Sequence, residues 1–192
     1  MSETLVACAI ASLCVQAMSI TQAGRDGAAD SRRSEIYQSA TIGSDGRLVI
    51  TTSDQRTIIV PKEDQQSSFD GPILSIDHTA VGAQAEFPNC CTSYDVPLAL
   101  VVYASGKVHR FKGNGLPVLQ WHFADGGTRV AYGQEPVHFG CFIHYELRDV
   151  QSERLVDSAD IPEPCGQIRE PAAVPIPEWV AELTDDATAH AR

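Results

Sequence analysis

The residues with the greatest capacity for covalent chemistry are six cysteines. Two of them, Cys8 and Cys14, lie in an apolar N-terminal stretch. The remaining four are Cys90, Cys91, Cys141 and Cys165. In an exported chain, four cysteines predict two disulfides. Neighbouring cysteines rarely bridge each other because the small ring strains the peptide bond between them. We therefore expect Cys90 and Cys91 to pair separately with Cys141 and Cys165.

A second group of reactive side chains surrounds Cys141. His138 and His144 flank it, and Glu135 comes just before. The group resembles a zinc ligand set, but His144 alternates with apolar Ile143 and Tyr145, which is typical of the polar face of a strand. We therefore predict no metal and no cofactor.

Catalytic motifs are missing from the sequence. It has no nucleophile elbow, no glycine-rich phosphate loop that opens a helix and no paired-histidine zinc helix. This favours a protein that is not an enzyme. The alternative is a metal-dependent hydrolase that uses Glu135, His138 and Asp95.

The elements that must position these residues are strands. Leu119, Trp121 and Phe123 alternate with polar or small residues, and an Asp-Gly-Gly turn follows. Such a period of two, interrupted by Gly and Asp, predicts hairpins. One four-stranded antiparallel unit is predicted from strands at residues 119–124, 129–132, 143–148 and 154–156.

Two similar units are predicted upstream. The first has strands at residues 37–42, 47–52 and 56–60, and the second has strands at 73–76, 80–86, 98–103 and 108–111. Each unit has a turn that contains an aspartate, namely Asp45, Asp77 or Asp125. We interpret these turns as equivalent positions of an internal repeat.

The pattern S-x-D-G-x-x-V-A, followed by a second hairpin, resembles the blade repeat of TolB-type and WD40-type β-propellers over roughly residues 38–157. The third unit, with GLPVLQWHF and HYELRDV, also resembles an uncharacterised exported bacterial family. That resemblance implies no catalytic residues.

The predicted fold is all-β, with two to three antiparallel blade-like β-meander units and a short C-terminal helix at residues 177–183. A closed propeller needs about four to eight blades. The units therefore form an incomplete propeller or sandwich-like domain, a ring built from several copies, or another all-β arrangement.

The ends of the chain differ from its middle. Residues 4–20 carry no charge and are followed by small residues, which predicts a signal peptide over residues 1–23 and export to the periplasm or medium. We predict a flexible leader at residues 24–35, the blade-like domain at 36–160 and a proline-rich tail with its helix at 161–192. After signal removal we expect no membrane insertion.

Net charge and loop placement narrow the function. A formal net charge of -11 argues against nucleic-acid binding, which needs a basic surface. The loops at residues 87–97 and 136–141 both follow the second strand of their unit, so we expect them to share one rim. Binding surfaces tend to form on such loops. We predict that this rim binds a protein or small molecule, with self-association of copies as an alternative. The rim candidates are Phe87, Asn89, Tyr94, Asp95, Glu135, His138 and Phe139.

Overall fold

Short runs of β-branched and apolar residues, separated by turns, form the strands of this protein. The structure is a computed structural model that describes residues 35–90, 93–113, 115–136, 141–162 and 174–183. Within these residues eleven strands form three antiparallel sheets, which confirms the predicted all-β, blade-like meanders.

The strand bounds follow the chain order within each sheet. The first sheet contains β1 (Tyr37–Ile42), β2 (Leu48–Thr52) and β3 (Thr57–Val60). The second contains β4 (Ser68–Leu74), β5 (Ala80–Pro88), β6 (Asp95–Ala104) and β7 (Lys107–Lys112). The third contains β8 (Val118–Ala124), β9 (Arg129–Gln134), β10 (Phe142–Asp149) and β11 (Leu155–Pro162), with a 3-10 turn at Asp125–Gly127.

The second sheet lies between the other two and is buried on both faces. Val81, Ala83 and Val101 pack against the first sheet. Leu100 and Val102, which point the other way, pack against the third sheet. This explains why β6 reads as a nearly continuous apolar run rather than as an alternation.

A short helix, α1 (residues 178–183), covers the other face of the third sheet. Val180 and Leu183 are buried against Tyr145 and Leu147, and Trp179 packs beside them. The indole Nε1 of Trp179 also donates a hydrogen bond to Asp157 Oδ2 at 3.0 Å. The helix predicted from the Pro-Glu-Trp sequence is therefore present and docks on the sheet.

The strands of the first sheet run in the opposite direction to the one that the predicted repeat requires. The Tyr37 amide at the start of β1 donates to the carbonyl of His78, beyond the end of β4, at 2.8 Å. The Phe69 amide at the start of β4 donates to the carbonyl of Gly46, beyond the end of β1, at 2.9 Å. β1 and β4 are therefore antiparallel neighbours. β1 thus has the direction of β5, the second strand of its unit, and not that of β4, the first strand.

This reversal overturns one interpretation of the repeat. The turns at Asp77 and Asp125 are neighbours, because a Cβ at Gly127 would lie 2.6 Å from Ser75 Cβ. The turn at Asp45 lies at the opposite border, beside Ser67 and Ser68. The predicted equivalence of the three aspartate turns is wrong for Asp45, because sequence similarity of a turn carries no information about strand direction.

The strands β4, β5 and β6 are longer than predicted. β4 begins at Ser68 rather than at Ile73, because Phe69 is buried in the core and a bulge between Asp70 and Ile73 accommodates Gly71 and Pro72. β5 and β6 extend as far as Pro88 and Asp95, so that Phe87 and Asp95 belong to strands and not to the long loop predicted for them.

Candidate binding cleft

The described rim candidates lie at one border of the molecule. Gln84 of β5 donates through Nε2 to the carbonyl of Val118, which pairs with Gln134 at the end of β9. β5 and β9 therefore end at the same border, and the connections that follow them leave from there. Tyr94 is exposed at this border, and the amide of Glu135 donates to the Pro117 carbonyl at 3.3 Å.

Four of the predicted site residues lie outside the part of the chain that the structure describes. His138 and Phe139 of the rim, and Cys91 and Cys165 of the disulfide prediction, lie outside the described residues. Cys90 follows β5 and Cys141 precedes β10, and both side chains are exposed. The disulfide pairing and the binding role of the rim stay predictions.

Three carboxylates meet at the same border. Ser68 pairs with Glu86, and Asp70 pairs with Gln84, so Asp70 and Glu86 lie on the face of the second sheet that is turned toward the third. Burial, with the nearby Asp70 and Asp95 carboxylates adding to its effect, raises the pKa of Glu86 to about 7. Near neutral pH, Glu86 exchanges a proton that an ordinary glutamate would have lost.

His144, Glu146 and Arg148 share one strand face, as the alternation predicted. Arg148 Nε donates to Glu146 Oε2 at 2.6 Å, and the Tyr132 hydroxyl donates to the same oxygen. His144 Nδ1 lies 2.6 Å from Asp160 Oδ1. Burial alone would raise the pKa of Glu146, but hydrogen bonds from Arg148 and Tyr132 outweigh it and lower that pKa. The cluster therefore connects β9, β10 and β11 within the third sheet.

A cleft of about 540 Å³ lies between β4 and β8. β4 and β8 are the terminal strands of their sheets. One wall contains Ile73 and Leu74 of β4, with Ile76 from the turn that follows. Ile73 is 40% exposed and Ile76 is 86% exposed. The cleft therefore presents apolar surface to solvent.

The opposite wall is formed by β8. Trp121 and Phe123 contact each other edge to face, with ring centroids 5.4 Å apart. Their position depends on Gly82 of β5, since a Cβ there would lie 2.6 Å from Cζ3 of Trp121 and 3.3 Å from Cζ of Phe123. Glycine at position 82 thus lets the two rings lie directly on the backbone of β5.

A bulge interrupts each of the two strands at the level of the cleft. In β4 the register shifts between Asp70 and Ile73, and in β8 it shifts between Val118 and Gln120, which leaves Leu119 as the extra residue. Leu119 is 44% exposed and lines the cleft. Bulges redirect side chains and are common beside functional sites. Here they turn Leu119 toward the cleft.

Polar groups occupy defined positions in the lining. Gln84 is held by its hydrogen bond to the Val118 carbonyl. Gln120 Nε2 donates to the Tyr145 hydroxyl at 2.9 Å. His122 and Leu183 complete the side nearest α1. The lining is therefore apolar with a few fixed hydrogen-bonding groups, which is the usual composition of a small-ligand or peptide site.

Sequence reasoning missed this cleft. None of the rim candidates within the described residues lines it. The alternation of Leu119, Trp121 and Phe123 predicts a strand but not what lies beside it, and the predicted start of β4 at residue 73 excludes Gly71. The Gly71–Pro72 pair inside a strand was the available signal, because this combination favours a bulge on an edge strand.

Comparisons with known proteins do not identify a family. No family model matches the chain, and no curated protein is significantly similar to it. Among solved structures, the chain is similar to hydrazine synthase of Kuenenia stuttgartiensis, with a TM-score of 0.40 and 14% identity over 69% of this chain. The match spans 36% of that structure, and a likeness this distant carries no argument about function.

Two further observations concern the described residues alone. They contain no group of three or more His, Cys, Asp or Glu side chains placed to hold a metal ion. None of their helices has both the length and the apolar character needed to cross a bilayer.

Proposed function

We propose that the protein is a non-catalytic binding module that holds an apolar ligand in the cleft between β4 and β8. One observation carries the proposal. Ile73, Ile76 and Leu119 are all exposed and all line one cleft. Exposed apolar side chains that converge on a concavity are typical of a binding surface.

The rigidity of the cleft supports the same proposal. The aromatic wall rests on Gly82, and Gln84 bridges the second and third sheets at the base. A preformed wall reduces the conformational entropy that a ligand must overcome on binding. A ligand that extends past Gln84 toward the ends of β5 and β9 would approach the rim, which includes Tyr94 and Glu135.

A neutral fluorescent dye tests the proposal directly. Nile red titrated into the protein is expected to bind saturably at one site and to brighten. Leu119→Gln should weaken dye affinity about tenfold, because burial of a leucine side chain is worth about 1.5 kcal/mol or more.

The matched control is Ile59→Gln. Ile59 is 54% exposed, lies in β3 and does not line the cleft. This substitution should leave dye affinity unchanged, and circular dichroism should show both variants folded. Equal loss in the two variants, or no saturable dye binding by the native protein, would contradict the proposal.

Export and disulfide formation form part of the same proposal. The uncharged N-terminal stretch and the four downstream cysteines support it. Intact mass measured without reduction is expected to show the loss of two hydrogens for each of two bridges in the secreted protein. A mass that corresponds to four thiols would exclude the disulfides.

A further inference from the structure

We propose that the natural occupant of the cleft is an extended peptide segment with a cationic group that contacts Asp70 and Glu86 at one end. This inference rests on the proposed binding function and adds the chemical class of the ligand. It combines the shape of the cleft with the charge at its border.

The shape favours an extended chain. The lining follows β8 from Leu119 to Phe123, five successive residues, and the facing strand from Gly71 to Ile76. At the rise of a β-strand, the β8 wall is about 13 Å long. Because β8 is a terminal strand of its sheet, the cleft runs beside a strand edge. An extended peptide beside such an edge can form main-chain hydrogen bonds while its alternate side chains enter apolar pockets.

The register places the carboxylates at one end of this cleft. Gln84 lines the cleft, and it pairs with Asp70 across β4 and β5. Glu86 lies two residues further along β5 on the same face. Asp95 of β6 is opposite Pro88. A peptide that lies along the apolar part therefore ends near Asp70, with Glu86 as the next carboxylate on that face.

These carboxylates lack a nearby cation within the described residues. None of the ion pairs formed there involves Asp70, Glu86 or Asp95. Asp70 and Asp95 are exposed, whereas Glu86 is partly buried. Asp70 and Asp95 supply negative charge, Glu86 adds to it when it ionises, and such a group attracts a lysine, an arginine or a terminal amine from a partner.

The acidic end makes binding pH-dependent. The charged groups that act on Glu86 are Asp70 from β4 and Asp95 from β6, and both raise its pKa. A cationic ligand favours the ionised form, so its affinity should increase as pH rises from about 5.5 to 8. An uncharged ligand should not gain in this way.

Two peptide libraries test the inference on the full chain. Both contain acetylated, amidated hexapeptides in which random apolar residues alternate with threonine, and they differ only in one terminal residue, lysine or norleucine. Displacement of Nile red measures binding. At pH 8 the lysine library should bind about fivefold more tightly, the effect of one partly exposed ion pair. At pH 5.5 the preference should shrink.

The variant Asp70→Asn combined with Glu86→Gln separates charge from shape. It should bind the norleucine library as the native protein does and lose the preference for lysine. Leu119→Gln should weaken both libraries together, because it acts on the apolar wall.

The outcomes distinguish this inference from the proposed function. Equal affinity for both libraries at pH 8 would overturn the cationic ligand and leave the binding function standing. If Nile red binds but neither library displaces it, the inference that the occupant is a peptide is wrong. Absence of dye binding would overturn the proposed function and this inference with it.

Discussion

At the scale of single residues, Glu86 is the clearest example of electrostatics set by surroundings. Its side chain is partly buried, and Asp70 and Asp95 lie near it. Burial comes first among the causes that raise its pKa to about 7. A carboxyl group placed in this way disfavours the folded state whenever it is ionised.

We predict that Glu86→Gln stabilises the protein at high pH. The unfolded chain loses the Glu86 proton near its ordinary pKa of 4.5, and the folded chain loses it near 7, so the native free energy of unfolding falls across this window. Glutamine removes this loss. Above pH 7 the variant should be more stable by about 1 kcal/mol, after allowance for solvent screening of a half-exposed group.

Chemical denaturation at pH 4 and pH 8 would measure this difference. The two proteins should have similar free energies of unfolding at pH 4. Glu182→Gln, an exposed change on α1, serves as a control with no pH-dependent gain. A native protein that is more stable than Glu86→Gln at pH 8 would contradict the prediction.

Gly82 determines the position of the aromatic wall. We predict that Gly82→Ala displaces Trp121, because the new methyl group would lie 2.6 Å from the indole ring atom Cζ3. Overpacking of this kind costs about 1–3 kcal/mol. The chain has two tryptophans, so Trp179→Phe leaves Trp121 as the only one. In that background, Gly82→Ala should shift the maximum of tryptophan fluorescence emission.

The control variant for Gly82→Ala is Gly106→Ala. A Cβ at Gly106 would meet no atom within 4 Å, although its φ of +74° is strained for alanine. That variant should lose stability without a change in Trp121 emission. Unchanged emission in Gly82→Ala would show that the ring does not rest on β5.

At the scale of elements, the interface between the second and third sheets changes character across the strands. Near β8 and β9 it is apolar, with Val118 and Val130 buried. Toward β10 it becomes polar, where Glu146 accepts hydrogen bonds from Tyr132 and Arg148. These hydrogen bonds to a buried carboxylate hold β9 and β10 together within the third sheet.

We predict that Glu146→Gln destabilises the protein by about 3 kcal/mol near neutral pH, because it leaves the Arg148 charge without its partner. Because the pKa of Glu146 is lowered, its contribution to stability changes with pH in the opposite direction to that of Glu86. Its contribution is present above about pH 4.5 and is lost as pH falls through the lower folded pKa.

The measurement is the difference in unfolding free energy between native protein and variant at several pH values. This difference in unfolding free energy should become smaller toward pH 3. Asp160→Asn is a suitable control, since Asp160 forms an ion pair with His144 but its side chain is 69% exposed. A constant difference across pH would indicate a loss of packing rather than of charge.

At the scale of the whole molecule, the sheets are stacked so that the second sheet has a neighbour on each face. The strands β5 and β6 are the interior strands of this middle sheet. Such strands cannot open without separating two interfaces.

We predict that amide hydrogens of β5 and β6 exchange most slowly in the described part of the chain. Local openings have free energies that approach the global value where burial is complete. Hydrogen exchange followed by mass spectrometry checks the order, with β1 and β11 as the internal references for faster exchange. Slower exchange in either reference strand would contradict the layered arrangement.

The sequence by itself determined the local structure. Alternation in residues 143–148 predicted that His144 and Glu146 would share a face, and they do. The proline-glutamate-tryptophan run predicted a helix at 177–183, and the structure has one at 178–183. These inferences hold because side-chain alternation and turn preference depend only on neighbours along the chain.

The tertiary structure alone decided the rest. The reversed direction of β1, the contact of Trp121 with Gly82 and the meeting of Glu86 with Asp70 and Asp95 all depend on how separate strands lie against one another. A cleft between β4 and β8 has no local pattern, because its walls are about fifty residues apart in the chain and are joined only by packing. The same alternating strand would be a buried wall against one neighbour and an open binding surface beside another.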